Sequence, residues 1–337
     1  MINVLVTGAG GGVGQGIIKS LKLINDLKIS IITADMSELA AGLYGGDYSY
    51  IVPAANHPNY FDRIKEICIN ENISFYFPGT DVELIQCANN YESLKNSLGV
   101  TTFVSPFNVI EIADDKYKTI KFLEENGFNF PKTFLPHQID LESLEFPLII
   151  KPKIGYRSIG VHLVKNIQEA LSAINSLKDP IIQEYIDGPE YTCTIAIFGD
   201  NQSEVLCLQR DLRAGDTFKA FPFKSEKIEN YVRDIALKIG IQGSCNFQLR
   251  TNSVGEPYLF EINSRFSGTT PFCSYLGFNP VEFCLKSALN LQYSSEIDYE
   301  KIILRHWTEV LVSKQNINDL RNNLNGKIIA KNVSSLL

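Results

Sequence analysis

Residues 244–268 read SCNFQLRTNSVGEPYLFEINSRFSG, and the alternation of side chains in this stretch decides how the chain is built. A strand presents every second residue to one face. In CNFQLR that places Asn246, Gln248 and Arg250 on one side, with Phe247 and Leu249 on the other. In YLFEINSR it groups Glu261, Asn263 and Arg265, opposite Phe260 and Ile262. The intervening TNSVGEP is turn-forming, so the strands are expected to pair as an antiparallel hairpin with Gln248 opposite Glu261. Gln248, Glu261 and Asn263 then make a patch of oxygen ligands beside a guanidinium. One carboxylate with two amides suits Mg²⁺, which keeps waters and takes its remaining ligands from phosphates. Without such work, burying these groups in an otherwise apolar sheet costs free energy.

Two upstream stretches suit the same ligand. In IIKPKIGYRSIGVHLV, 149–164, Lys151 ends a strand as a fixed point charge. Gly155 and Gly160 let the following loop fold over a ligand, where Ser158 and backbone N–H groups can meet phosphate oxygens. Alone, the stretch reads equally as a hairpin with surface lysines. In IIQEYIDGPEYTC, 181–193, an apolar strand runs into Glu184-Tyr185-Ile186, and Glu190 follows the Asp187-Gly188-Pro189 turn. An extended hinge offers backbone groups to an adenine edge, with a carboxylate six residues on for ribose hydroxyls. By itself this too reads as a strand followed by exposed acids.

The first 106 residues have another rhythm. Short apolar strands (NVLVTG, 30–35, 48–53, 73–79 and 101–106) alternate with helical patterns at 13–24, 58–70 and 81–96, the last with Asp81 as its N-cap. That alternation predicts a parallel sheet covered on both faces. After a helix near 114–127, strands dominate from residue 147 onward, with one helix at 227–240. A domain boundary is therefore expected near 110–115, and the Asn-, Ser- and Lys-rich tail from Ser313 is left without a fold. The net charge of −7 gives no footprint for nucleic acid or an anionic membrane, and no apolar run approaches a membrane span. Seven cysteines (68, 87, 193, 207, 245, 273, 284) are scattered without a CxxC pair, which predicts reduced core thiols. The chain opens on a strand and not on a leader, so a cytoplasmic protein with small-molecule partners is expected.

The glycine-rich TGAGGGVGQG, 7–16, raises a rival reading. Gly8, Gly12 and Gly14 resemble a dinucleotide turn, although Val13 breaks strict GxGxxG, and Asp35 ends the second strand where an acid could accept a ribose hydroxyl. Tyr91/Lys95 and Tyr117/Lys121 match the YxxxK of short-chain dehydrogenases, yet such strings are common (i, i+4) helix pairs. Val104 stands where a serine should precede Tyr117. That reading also leaves most of the chain without a role, and glycines here serve equally for close strand–helix packing.

Gln248 followed by Glu261-Ile262-Asn263-Ser264-Arg265 resembles the ATP-grasp superfamily, in the branch related to the large chain of carbamoyl-phosphate synthetase. The resemblance runs from the first strand to about residue 310. It implies a mixed α/β and α+β chain: a Rossmann-like pre-ATP-grasp domain over 1–112, an ATP-grasp small lobe over 113–189, a large lobe over 190–312 and a tail over 313–337. ATP would lie between the lobes with Mg²⁺, or Mn²⁺ in its place. By the same resemblance Lys116 and Lys151 contact phosphates, while Gly155, Ser158 and Gly160 belong to a loop that closes over them. Glu184, Tyr185 and Ile186 meet adenine and Glu190 holds the ribose. Gln248, Glu261 and Asn263 bind the metal. Arg265 stabilises the transferring γ-phosphate, and Arg210, assisted by Lys219, approaches the acceptor. Tyr156, Arg157 and Ile159 depart from the small and basic residues usual in that loop, and the ribose carboxylate comes about one residue early.

The implied activity is that of a carboxylate–amine ligase. A substrate carboxylate takes the γ-phosphoryl group, giving an acyl phosphate and ADP, and an amine then displaces phosphate to form an amide. One branch of relatives joins amino acids to amines such as amino sugars. The histidines (57, 137, 162, 306) fall outside the motifs, and the chain is short for carbamoyl-phosphate synthesis. A homodimer is the assembly the resemblance suggests. The alternatives are an NAD(P)-dependent short-chain-type oxidoreductase and a non-catalytic nucleotide-binding protein.

Overall fold

The computed structural model describes residues 1–155, 158–199, 203–306 and 308–322. The N-terminal part contains β1 (Ile2–Val6), α1 (Gly12–Lys22), β2 (Ile29–Asp35), β3 (Tyr48–Ile51), α2 (Tyr60–Asn70), β4 (Phe75–Phe77), α3 (Leu84–Asn89), α4 (Tyr91–Leu98) and β5 (Thr101–Thr102). Its strands form one parallel sheet in the order β3-β2-β1-β4-β5. Val4, Leu5 and Val6 are fully buried, as a strand covered on both faces requires.

The helix expected over 81–96 is instead a 3₁₀ turn, Asp81–Glu83, followed by α3 and α4, with the break at Asn89-Asn90. Asp81 is not the cap, because Thr80 occupies that position. The buried Glu83 draws the turn inward: its Oε1 accepts from the Gly79 and Thr80 amides at 2.9 Å, and its Oε2 accepts from Thr7 Oγ1 at 2.7 Å and from the Tyr76 and Tyr60 hydroxyls. A carboxylate with that many donors tolerates burial. The same pull turns Asp81 outward.

After α5 (Phe107–Asp114) and α6 (Lys116–Glu125), a second unit carries β6 (Thr133–Phe134), β7 (Leu148–Pro152), β8 (His162–Val164), α7 (Ile167–Ser176) and β9 (Pro180–Glu184). These strands form an antiparallel sheet ordered β6-β9-β7-β8. The last unit comprises β10 (Glu190–Ile197), β11 (Ser203–Arg213), β12 (Asp216–Pro222), α8 (Glu226–Ile239), β13 (Gly243–Thr251), β14 (Pro257–Asn263), α9 (Thr270–Tyr275), α10 (Pro280–Ala288), β15 (Ile303–Leu304) and α11 (Lys314–Asn322). Its antiparallel sheet runs β14-β13-β10-β11-β12-β15.

One face of that sheet packs on α8 through Ile195, Cys207, Phe247, Val232 and Ile235. The other face shares a core with the N-terminal part, where Leu206 and Leu208 join Ile17, Leu21, Phe272 and Phe278. The start of the tail is helical: Leu320 of α11 enters this shared core, and Arg321 pairs with Glu38 at 2.7 Å. All seven cysteines are buried and free. Among the described residues no helix is long and apolar enough to cross a membrane.

Candidate active site

The β13–β14 hairpin pairs Gln248 with Glu261 and Asn246 with Asn263, the expected register. One expectation fails. The register slips after Gln248, so that Leu249 faces Leu259, and Phe260 is the extra residue of a bulge. Phe260 therefore leaves the core face and lines a cleft, where the Lys151 ammonium lies 5.1 Å from its ring centre.

That first cleft gathers Lys116, Lys151, Gly155, Ser158, Glu184, Tyr185, Ile186, Glu190, Arg210, Gln248 and Glu261, with Pro131, Ile149 and Val161 as apolar walls. Lys151 is 4% exposed, and burial, reinforced by the charge of Lys116, pushes its pKa down to about 7 against the opposing pull of Glu261 and Glu190. Its Nζ donates to Gln183 Oε1 at 2.8 Å, and Gln183 in turn donates to Thr133 Oγ1. Lys116, at the start of α6, is also buried and donates to the Gly155 carbonyl at 2.8 Å. Two lysine ammoniums thus enter one cleft from different elements.

The rim is made by strand ends and turns. Glu184 binds the 131–133 segment twice, its amide donating to the Lys132 carbonyl at 2.8 Å and its carboxylate accepting from the Lys132 amide at 3.0 Å. Ser158 has φ +55° and Gly160 φ +73°. A Cβ on Gly160 would lie 2.8 Å from Leu177, so this glycine shapes the loop without lining the cleft. Tyr156 and Arg157 lie outside the described residues. Glu190 is held by two arginines: Oε1 accepts from Arg210 Nε (3.0 Å) and Nη2 (2.6 Å), and Oε2 from Arg250 Nη2 (2.9 Å). Arg210 also donates to Gln248 Oε1 at 2.8 Å. Lys219, half-exposed and 3.4 Å from Asp211, lines a side groove with Arg213 and Phe218 that also reaches Glu190, Arg210 and Arg250.

Arg210, Gln248 and Glu261 also line a second cleft, which continues to Asn263, Arg265, Arg305, the 79–82 turn and Gly11–Val13 at the start of α1. Here Arg265 reaches across to the N-terminal part, Nε donating to Asp81 Oδ1 at 2.5 Å, with Nη2 3.4 Å from Asn263 Oδ1. Arg305 lies over the Phe272 ring and donates to the Gly268 carbonyl. Among the described residues no three His, Cys, Asp or Glu side chains cluster as a metal cage. The donor set is Glu261 with the amides Gln248 and Asn263, which fits a hard cation that keeps part of its water and shares phosphate oxygens.

The glycine-rich turn is closed by its own chain. Asp35 Oδ2 accepts from the Gly10 amide at 2.8 Å and Oδ1 from Ser37 at 3.1 Å. A Cβ on Gly14 would lie 2.3 Å from the Gly8 carbonyl oxygen, and one on Gly10 2.7 Å from Ala40 Cβ. The acid that a dinucleotide ribose needs is thus already bonded, and the glycines permit close packing. The two YxxxK strings are helix-surface pairs, with Lys95 over Tyr91 and Lys121 over Tyr117, each at 5.6 Å.

Sequence reasoning missed Phe260, Gln183, Asp81, Arg250 and Arg305 as lining or supporting residues. Gln183 carried a signal, being the lone amide in the apolar run PIIQE. Asp81 and Arg305 meet the site only through contacts distant in sequence.

Comparison with known proteins agrees with this geometry. Residues 113–269 match the ATP-grasp domain, and residues 4–103 match the PylC-like N-terminal domain. The carbamoyl phosphate synthase large chain of Thermoanaerobacter sp. (strain X514) is 25% identical over 309 residues, covering 80% of this chain and 27% of that protein. The chain thus spans about a quarter of the length of such relatives. The D-alanine–D-alanine ligase of Fusobacterium nucleatum is 32% identical over 171 residues, 45% of this chain and 56% of that one. Among solved structures, N5-carboxyaminoimidazole synthetase from Staphylococcus aureus complexed with ADP superposes with a TM-score of 0.73 at 15% identity, over 96% of this chain and 86% of that one. L-amino acid ligase from Bacillus licheniformis gives 0.67 at 18%, over 86% and 74%. The chain therefore carries an ATP-grasp domain over residues 113–269, preceded by a PylC-like N-terminal domain over residues 4–103.

Proposed function

We propose that the protein is an ATP-dependent carboxylate–amine ligase that forms an amide through an acyl phosphate, releasing ADP and phosphate. The observation that carries this reading is the meeting of two clefts at Glu261 and Gln248: one holds two buried lysines and an apolar slot, the other three arginines. The first suits the nucleotide. Tyr185 and Ile186 flank the base, Glu190 meets the ribose, and Lys116 and Lys151 neutralise phosphate oxygens under the 155–160 loop. The second suits the carboxylate substrate, with Arg265 at the junction beside the phosphoryl group in flight.

Gln248, Glu261 and Asn263 would hold Mg²⁺, which supplies Lewis-acid neutralisation of the phosphate oxygens. A carboxylate is a poor acyl donor because its leaving group would be oxide. Phosphorylation by ATP replaces that with phosphate, and the attacking amine then expels it. The cationic groups act on charge that builds in the transition state. An amino acid as the carboxylate, and an amine such as an amino sugar, are the substrates we favour, in keeping with the named activities of relatives that ligate amino acids.

A phosphate-release screen over acid and amine pairs tests the reading. The expected result is ADP formation that depends on both substrates and falls about 10²–10³-fold in Glu261→Ala. Tight ATP binding with no productive pair would replace the ligase by a nucleotide-binding role.

A further inference from the structure

Arg250 was not among the residues that the site chemistry requires, yet its guanidinium makes a dense set of bonds at the edge of the nucleotide cleft. Nη2 donates to Glu190 Oε2 at 2.9 Å, while Nη1 donates to the Gly188 carbonyl at 3.1 Å and contacts the Tyr185 hydroxyl at 3.2 Å. The guanidinium carbon also lies 5.1 Å from the centre of the Tyr185 ring. One side chain on β13 therefore grips three points of the 185–190 hinge. The turn itself lies hard against β13: a Cβ on Gly188 would come within 1.9 Å of the Thr251 carbonyl oxygen, and the Thr251 amide donates to the Pro189 carbonyl at 3.2 Å. Both contacts are made by backbone and do not involve the Arg250 side chain.

The lone pairs of Glu190 decide what Arg250 does. An ionised carboxylate offers about four acceptor sites, two on each oxygen. Arg210 fills both on Oε1, through Nε and Nη2, and Arg250 fills one on Oε2. The remaining acceptor is on Oε2, the oxygen whose direction Arg250 sets. Arg210, by contrast, is turned to Oε1, and its second Nη2 bond goes to Gln248 on the metal side of the cleft.

We propose that Arg250 is a positioning residue for nucleoside selection: it aims Glu190 Oε2 at one ribose hydroxyl, so that the site distinguishes ribonucleotides from dideoxynucleotides. This rests on the reading of the first cleft as an ATP site.

The test compares binding of Mg-ATP and Mg-2′,3′-dideoxy-ATP to the full chain by calorimetry. The wild type binds ATP more tightly by about tenfold, the worth of one hydrogen bond to a charged acceptor. Arg250→Ala brings the ratio close to one by weakening ATP while leaving the dideoxy compound nearly unchanged. Arg250→Lys, which can pair with Glu190 but not grip Gly188 at the same time, gives an intermediate ratio and serves if the alanine variant folds poorly. Equal loss for both nucleotides would mark a merely structural role and overturn the proposal. An unchanged ratio, or a wild type indifferent to the ribose hydroxyls, would overturn it as well. Failure of the wild type to bind ATP at all would instead sink the nucleotide site itself.

Discussion

Two glycine-bearing turns in this molecule follow a strand and face a cleft, and they spend their glycines differently. In the turn at 8–14 the missing Cβ atoms of Gly8, Gly10 and Gly14 leave room for Thr80, Ala40 and the Gly8 carbonyl, and Gly42 likewise yields to backbone, since a Cβ there would sit 1.8 Å from the Ala9 carbonyl oxygen. The nearby acid, Asp35, accepts from two amides of its own chain, one on each oxygen. In the turn at 155–160 the Gly155 carbonyl receives the Lys116 ammonium, and the cleft below holds the buried Lys151. Glycine spacing alone does not separate these cases. What separates them is the company: in one, charged side chains buried with no full-charge partner at hydrogen-bond distance among the described residues, in the other a closed local network.

The largest effect that sharpens this contrast belongs to Gly42→Ala. The added methyl meets backbone, which cannot move aside cheaply, so chemical denaturation should show a loss of about 3 kcal/mol, while nucleotide affinity of the folded fraction stays unchanged. An equal loss of ATP affinity would mean that the N-terminal turn is part of the nucleotide site.

Next comes the pH dependence of Lys151. Its folded pKa, about 7, lies below the ordinary 10.5, so between these values the folded state binds fewer protons than the unfolded one. The stability contribution of this group therefore rises with pH across that window, and the cost of burying its charge is fully present below it. A polyphosphate favours the charged lysine. Affinity for Mg-ATP should thus weaken above about pH 7, by up to about tenfold per pH unit, and Lys151→Met should flatten the profile. A wild-type profile as flat as the variant's would show that Lys151 does not meet the phosphates.

The smallest effect is expected at Lys219. It is half-exposed and pairs with Asp211 across the β11–β12 hairpin. Lys219→Ala should change turnover by no more than about twofold, since exposed pairs contribute little. A loss comparable to that of Glu261→Ala would move the acceptor site towards that groove.

How much of this was legible follows from what each residue's role depends on. The pairing of Gln248 with Glu261 was readable because a two-residue period and a turn fix register over a short distance. The swing of Phe260 into the cleft was not, because a bulge changes the period by one residue without marking the sequence. Asp81 was read as a helix cap, since its type suits that role. The partner that gives it a place at the cleft, Arg265, is 184 residues away. The parallel sheet was plain from its apolar strands, whereas the closure of the glycine turn by Ala40 and Asp35 needed the tertiary structure.

The account's central claim is that the lysine-bearing cleft, and not the glycine-rich turn, takes the nucleotide. Parallel calorimetric titrations of the wild type with Mg-ATP and with NADH test it most directly. The account predicts saturable one-to-one binding of Mg-ATP and no binding of NADH. Tight NADH binding without Mg-ATP binding would contradict it.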